Sequence, residues 1–278
     1  MYQDRTTTDR ASPLRRGNLL PARELGPTWG LITLVALLAW LLTVAQARDM
    51  GIGPGTMGIG LPLFLVLWLA MMTAMMLPSV APVAITWVRG ISRQSAGVTR
   101  AFRISAFTGG YLLAWAAFGI LAYAGLAAIG DLVGDHPGAG RWIGAGAFLL
   151  AGVYQLGPLK DVCLRHCRNP MGQLMRYLRF GHRARDLRVG LHHGLYCVGC
   201  CWGLMLVLVP LGVMNVAAMA GLAVVIFLEK LWRRGPLLST VVGIAFVVLA
   251  CLAPFQEWLL PGLAGTQSPM DRMAGAAG

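Results

Sequence analysis

GLHHGLYCVGCCWGLMLVLVP, residues 190–210, is the stretch around which this 278-residue chain is organised. Two adjacent histidines, His192 and His193, lead into Cys197, Cys200 and Cys201 and then into a continuous apolar run. Read as a helix, the segment places His193, Cys197 and Cys201 at i, i+4 and i+8, with Cys200 three residues after Cys197. Side chains three and four apart share a helix face, so imidazole and thiols converge on one strip. The run is apolar enough to lie in a bilayer, where polar groups are rare and usually functional. The strip therefore predicts metal ligation or thiol chemistry.

The rest of the chain agrees with a membrane setting. Apolar residues make up 57% of the sequence and charged residues 12%, about half the charged share of a soluble domain. Several apolar runs of about 20 residues are each long enough to cross about 30 Å of hydrocarbon. They do not alternate with polar residues, which excludes a β-barrel. The expected fold is all-α, a polytopic helical membrane protein of about seven transmembrane helices. The spans fall near residues 28–47, 59–87, 104–130, 141–159, 190–210, 213–231 and 236–255.

Formal net charge is +12, but its distribution speaks for topology and against nucleic acid. In this arrangement 20 of the 23 Lys and Arg residues lie on one side, which is the positive-inside pattern. The N-terminus is then inside and the C-terminus outside. Residues 1–27 form a basic cytoplasmic tail, residues 28–255 the helical domain with a basic loop at 160–188, and residues 256–278 a short external tail. Ala45-Gln46-Ala47 has the small-x-small shape of a signal-peptidase site; the length of the preceding apolar run favours an uncleaved anchor. Residues 171–180 read as an interfacial amphipathic helix.

Five of the six cysteines fall between Cys163 and Cys201. Facing a reducing cytoplasm they are not expected to form structural disulfides. Thiolate and thioether donors select Cu(I), whereas imidazole also suits zinc and iron. Met71, Met72, Met75 and Met76 form two i, i+4 thioether pairs at comparable depth in the second span, before Pro78 and Pro82 interrupt its helix. Cys163 and Cys167, also i, i+4, flank His166 in the basic segment KDVCLRHCRNP at the inner mouth of the 190–210 helix. Each group has a structural alternative, because buried cysteine and methionine also serve as packing. Glu229 beside Lys230 reads as a helix-end pair at the interface. There is no Walker A loop, Rossmann glycine pattern, His-Glu-x-x-His, hydrolase elbow or Cys-x-x-Cys-His haem sequence.

Three separated motifs carry a resemblance: MMTAMMLPS, YQLGPLKDVCLRHCRNP, and GLHHGLYCVGCCWGLMLVLVPLGVMNVAAM with the later Glu229-Lys230 pair. Together they resemble DUF2182, a bacterial family of predicted metal-binding integral membrane proteins, over roughly residues 60–232. The resemblance implies metal binding and no established reaction. Its matching positions are Met71, Met72, Met75, Met76, Cys163, Cys167, His193, Cys197, Cys200 and Cys201.

The expected function is non-catalytic handling of a soft transition metal, Cu(I) first, with zinc or iron as other occupants. The ligands would be His192, His193, Cys197, Cys200, Cys201, Cys163, Cys167 and the four methionines. Expected partners are the lipid bilayer, the metal ion and a metallochaperone or metalloenzyme, with no nucleic acid. Transport, delivery and cuproenzyme assembly all fit. The alternatives are a membrane redox protein using the same residues for thiol–disulfide exchange or haem, and an assembly subunit in which the cysteines only pack.

Overall fold

A computed structural model describes residues 22–50, 55–56, 58–92, 97–136, 138–169, 172 and 184–263. The described residues are helical and contain no strand. In chain order the helices are α1 (Ala22–Met50), α2 (Leu61–Ser92), α3 (Gly97–Asp135), α4 (Ala139–Leu156), α5 (Pro158–Cys167), α6 (Arg185–Leu206), the single turn α7 (Leu208–Leu211), α8 (Val216–Leu231) and α9 (Gly235–Leu252). Two 3-10 turns, Ala253–Phe255 and Glu257–Leu259, follow.

Five helices are long and apolar enough to cross a membrane: α1, α2, α3, α6 and α9 with its following turn. α4 and α5 add a sixth only as a pair, bent by 65° at their junction. Gly157 and Pro158 explain the break: Pro158 cannot continue the amide ladder of α4, but its fixed φ suits the first turn of α5. The count is thus five or six where the sequence predicts seven. The expected span that neither count includes is α8, whose 16 residues extend only about 24 Å at 1.5 Å per residue. Asn215 starts it, its Oδ1 accepting from the Ala218 amide at 3.1 Å.

Three boundaries also differ from the sequence expectation. α2 runs unbroken through Pro78 and Pro82, since a helix packed on neighbours tolerates the lost donors. Residues 160–167, expected in a basic loop, belong to α5, with Lys160, Leu164 and Cys167 buried. Residues 256–263 begin the expected external tail, yet Leu260 and Leu263 are buried and the Gly262 amide donates to the Pro210 carbonyl at 2.9 Å. Apart from residue 172, the amphipathic helix expected at 171–180 lies outside the described residues, as do residues 1–21 of the tail expected at 1–27; residues 22–27 begin α1.

α6 sits at the centre, packed on α3, α5 and α4. Its buried positions, 189/190, 193/194, 197, 200/201 and 204/205, follow the helical period, while Leu191 and Leu195 face outward. Gly190 and Gly194 form a small-xxx-small pair that lets α3 approach closely. A Cβ at Gly190 would collide with the Phe107 carbonyl, and one at Gly194 would stand 2.7 Å from the Ala114 Cβ. Arg103 on α3 ties the base of this interface to Asp186 on α6 at 3.0 Å. Gly190→Ala is therefore expected to cost about 3 kcal/mol, the upper end for overpacking. The check is thermal unfolding in detergent, where an unchanged Tm would refute this account of the interface.

Candidate metal centre

The α6 stripe brings three sulfurs together. The Sγ atoms of Cys197, Cys200 and Cys201 all lie within 4.8 Å of one another, and the three residues are 0–1% exposed. Cys200 is the hub: its Sγ is 3.2 Å from that of Cys201 and 3.7 Å from that of Cys167, delivered by α5. All six cysteines are free thiols. A single ion bonded at about 2.3 Å to each sulfur keeps sulfurs no more than about 4.6 Å apart. The trio therefore fits a thiophilic ion with small side-chain adjustments.

Around the thiols stand groups that the sequence reading did not assign to the site. Lys230 of α8 reaches in from the next helix, its Nζ 3.2 Å from the Cys197 Sγ and 3.2 Å from the Ser79 Oγ of α2. The Tyr111 hydroxyl of α3 lies 3.2 Å from the same Cys197 sulfur. Glu229, adjacent to Lys230, does not pair with it. Its carboxylate meets Lys160 of α5 at 2.8 Å, with both side chains 0–2% exposed. The Gln155 amide donates to the other carboxylate oxygen, and the Lys160 Nζ also donates to the Cys200 carbonyl at 2.6 Å. Adjacent helical residues point about 100° apart, so the Glu229-Lys230 dipeptide serves two separate contacts. Lys160 is thus matched by the Glu229 carboxylate, and for Lys230 the Cys197 sulfur stands where an anion would be. A buried charge without a partner is costly, so this arrangement complements a metal-bound thiolate.

The remaining expected ligands are distributed unevenly. His193 is 2% exposed and lies beside the rings of Phe107 and Tyr111, with centroids 6.5 and 6.1 Å away. Its Nδ1 is buried with no hydrogen-bond partner among the described residues, a costly state for an imidazole nitrogen. Met71, Met72, Met75 and Met76 are 0–2% exposed and belong to the same contiguous core as Cys167, Cys197, Cys200 and Cys201. Cys163 is half-buried and faces Gly199, where a Cβ would stand 2.8 Å from its Sγ. His192 turns towards α5, its ring centroid 5.4 Å from that of His166. Neither Cys163 nor His192 joins the three convergent thiols.

Lys160 and Lys230 were hidden because basic residues beside apolar spans read as topology charges. The usable signal was composition: Glu229-Lys230 closes an otherwise uncharged α8, where each ionised group needs a partner.

Membrane-length helices around a closed cluster of buried thiols are an arrangement that suits a soft metal ion. The chain belongs to the PpoB2 copper chaperone family, whose model matches residues 65–253. No curated protein and no solved structure matches it.

Proposed function

We propose that this chain is an integral membrane protein that receives Cu(I) and passes it on, with Cys197, Cys200 and Cys201 as the thiolate ligands. The observation that carries this reading is the convergence of the three buried sulfurs beside Lys230. Cu(I) with three thiolates bears two negative charges, and the Lys230 ammonium beside Cys197 offsets one of them. Soft sulfur donors also favour Cu(I) among the common ions. Cys167 completes the set from α5, and His193 and the four α2 methionines supply weaker, exchangeable donors. Cys163 and His192 lie outside this ligand set.

The topology that goes with this reading has the N-terminus inside, the C-terminus outside and the basic segment at the cytoplasmic face of a bacterial inner membrane. The cargo would come from a metallochaperone or go to a metalloenzyme under assembly. The three motifs that resemble DUF2182 contain the thiols, the methionines and Glu229-Lys230, which fits a family built around this centre.

The test is the copper content of the full chain purified anaerobically in detergent. Wild type is expected to retain about one Cu(I) per chain, held by sulfur, and Cys197→Ser with Cys200→Ser is expected to retain none. Equal retention in both would refute the reading. A second reading, thiol–disulfide exchange, has in its favour the Cys167–Cys200 sulfur separation of 3.7 Å. It requires a thiol count that falls and recovers reversibly with oxidant and reductant in metal-free protein.

A further inference from the structure

His166 and His192 come from segments that the sequence treats separately, one in α5 and one in α6, yet their ring centroids are 5.4 Å apart with planes inclined at 61°. Both rings contact Tyr196. His166 stacks on it at 3.8 Å and 15°, and His192 lies 5.0 Å from it at 50°. Both histidines are only half-buried, in contrast to the closed thiol cluster.

These separations suit a shared ion. With a metal–nitrogen bond of about 2.0–2.1 Å and a ring nitrogen about 1.1 Å from its centroid, two imidazoles on one ion hold their centroids at most about 6.4 Å apart. The observed centroid distance of 5.4 Å lies within that limit. The Tyr196 stack holds the His166 ring in place, lowering the ordering cost of capture.

The chain also connects the two places. His166 immediately precedes Cys167, whose sulfur lies 3.7 Å from that of Cys200. We infer that His166 and His192 form a second, accessible binding position for Cu(I), from which the ion moves by ligand exchange through Cys167 to the buried thiols. Nitrogen ligands are replaced by sulfur at each step, with no change in oxidation state, so the ion passes from weaker to stronger soft-donor ligation. This rests on the copper reading of the thiol cluster and adds the loading position to it.

The experiment titrates the full chain in detergent with Cu(I) alone against a colorimetric chelator, and follows the coordination by X-ray absorption. Wild type should take up a first equivalent with sulfur ligands and a second, weaker one with imidazole nitrogen. His166→Phe with His192→Phe keeps the ring contacts on Tyr196 while removing the nitrogens. That variant should keep its Tm and its first equivalent and lose the second, and the initial rate of filling the sulfur site should fall about tenfold. Wild type with one all-sulfur equivalent overturns this inference and leaves the proposed function standing. The same holds if the double Phe variant retains a nitrogen-ligated second equivalent, or if the pair takes Zn²⁺ and not Cu(I). Wild type that binds no Cu(I) overturns both. If the Phe variant unfolds, His166→Asn with His192→Asn takes its place and is read in the same way.

Discussion

Cys200→Ser is expected to weaken Cu(I) binding more than any other single cysteine substitution, by upwards of about 100-fold, while Cys163→Ser leaves it within about twofold. The ranking follows from geometry. The Cys200 sulfur lies 3.2 Å from that of Cys201 and 3.7 Å from that of Cys167, so it joins the α6 thiols to the α5 thiol. Losing it removes a ligand and also separates the α5 thiol from the α6 pair. Serine keeps the size and the hydrogen-bonding capacity but replaces a soft donor with a hard one. Outer-shell partners of metal ligands typically cost 10–100-fold, so a direct ligand at the hub should exceed that range. Cys163 faces Gly199 and not the trio, which makes it the internal control. Chelator competition on the purified single variants measures the order, and Cys163→Ser binding as weakly as Cys200→Ser would refute it.

The second large effect concerns stability. Glu229→Gln is expected to destabilise the folded state by about 3–5 kcal/mol, the range for breaking a buried pair by removing one charge. The substitution leaves the Lys160 ammonium buried with no carboxylate partner. Lys160 retains its bond to the Cys200 carbonyl at 2.6 Å, but a neutral acceptor does not balance an ammonium. Replacing both partners, Lys160→Met with Glu229→Leu, should recover most of the loss, because apolar residues of similar volume avoid the desolvation cost altogether. Denaturant unfolding in micelles, arranged as a double-mutant cycle, gives the coupling. A cycle in which the two single losses simply add would show that the pair is not coupled. The recovered variant should also show altered copper affinity, since the Lys160 contact to the Cys200 backbone is gone.

The α6 stripe was legible in the sequence. A period of 3.6 residues applied to His193, Cys197, Cys200 and Cys201 places them on one side, and the helix buries that side. The methionines were legible as buried for the same reason. What was not legible depended on which helix stood opposite each face. His192 and His193 are neighbours in sequence, but a turn of about 100° separates them, sending one towards α5 and the other between α3 aromatics. The span count failed at α8 because hydropathy is insensitive to where a helix begins: Asn215 caps it late. The charge pattern misled most. Lys160 and Lys230 were counted with solvated topology charges, yet both are buried against anionic or sulfur partners. Single residues do not announce this; it comes from α5 folding back at Gly157-Pro158.

The closure of the thiol cluster also bears on rate. At 0–1% exposure, no sulfur of an incoming acceptor can touch an ion held there while α5 stays docked. Under the proposed function, hand-over must wait for the ion to move back out through Cys167 or for the helices to part, steps whose frequency belongs to the protein alone. Delivery should then become independent of acceptor concentration once acceptor is plentiful, as in a clock escapement that releases its load at its own pace.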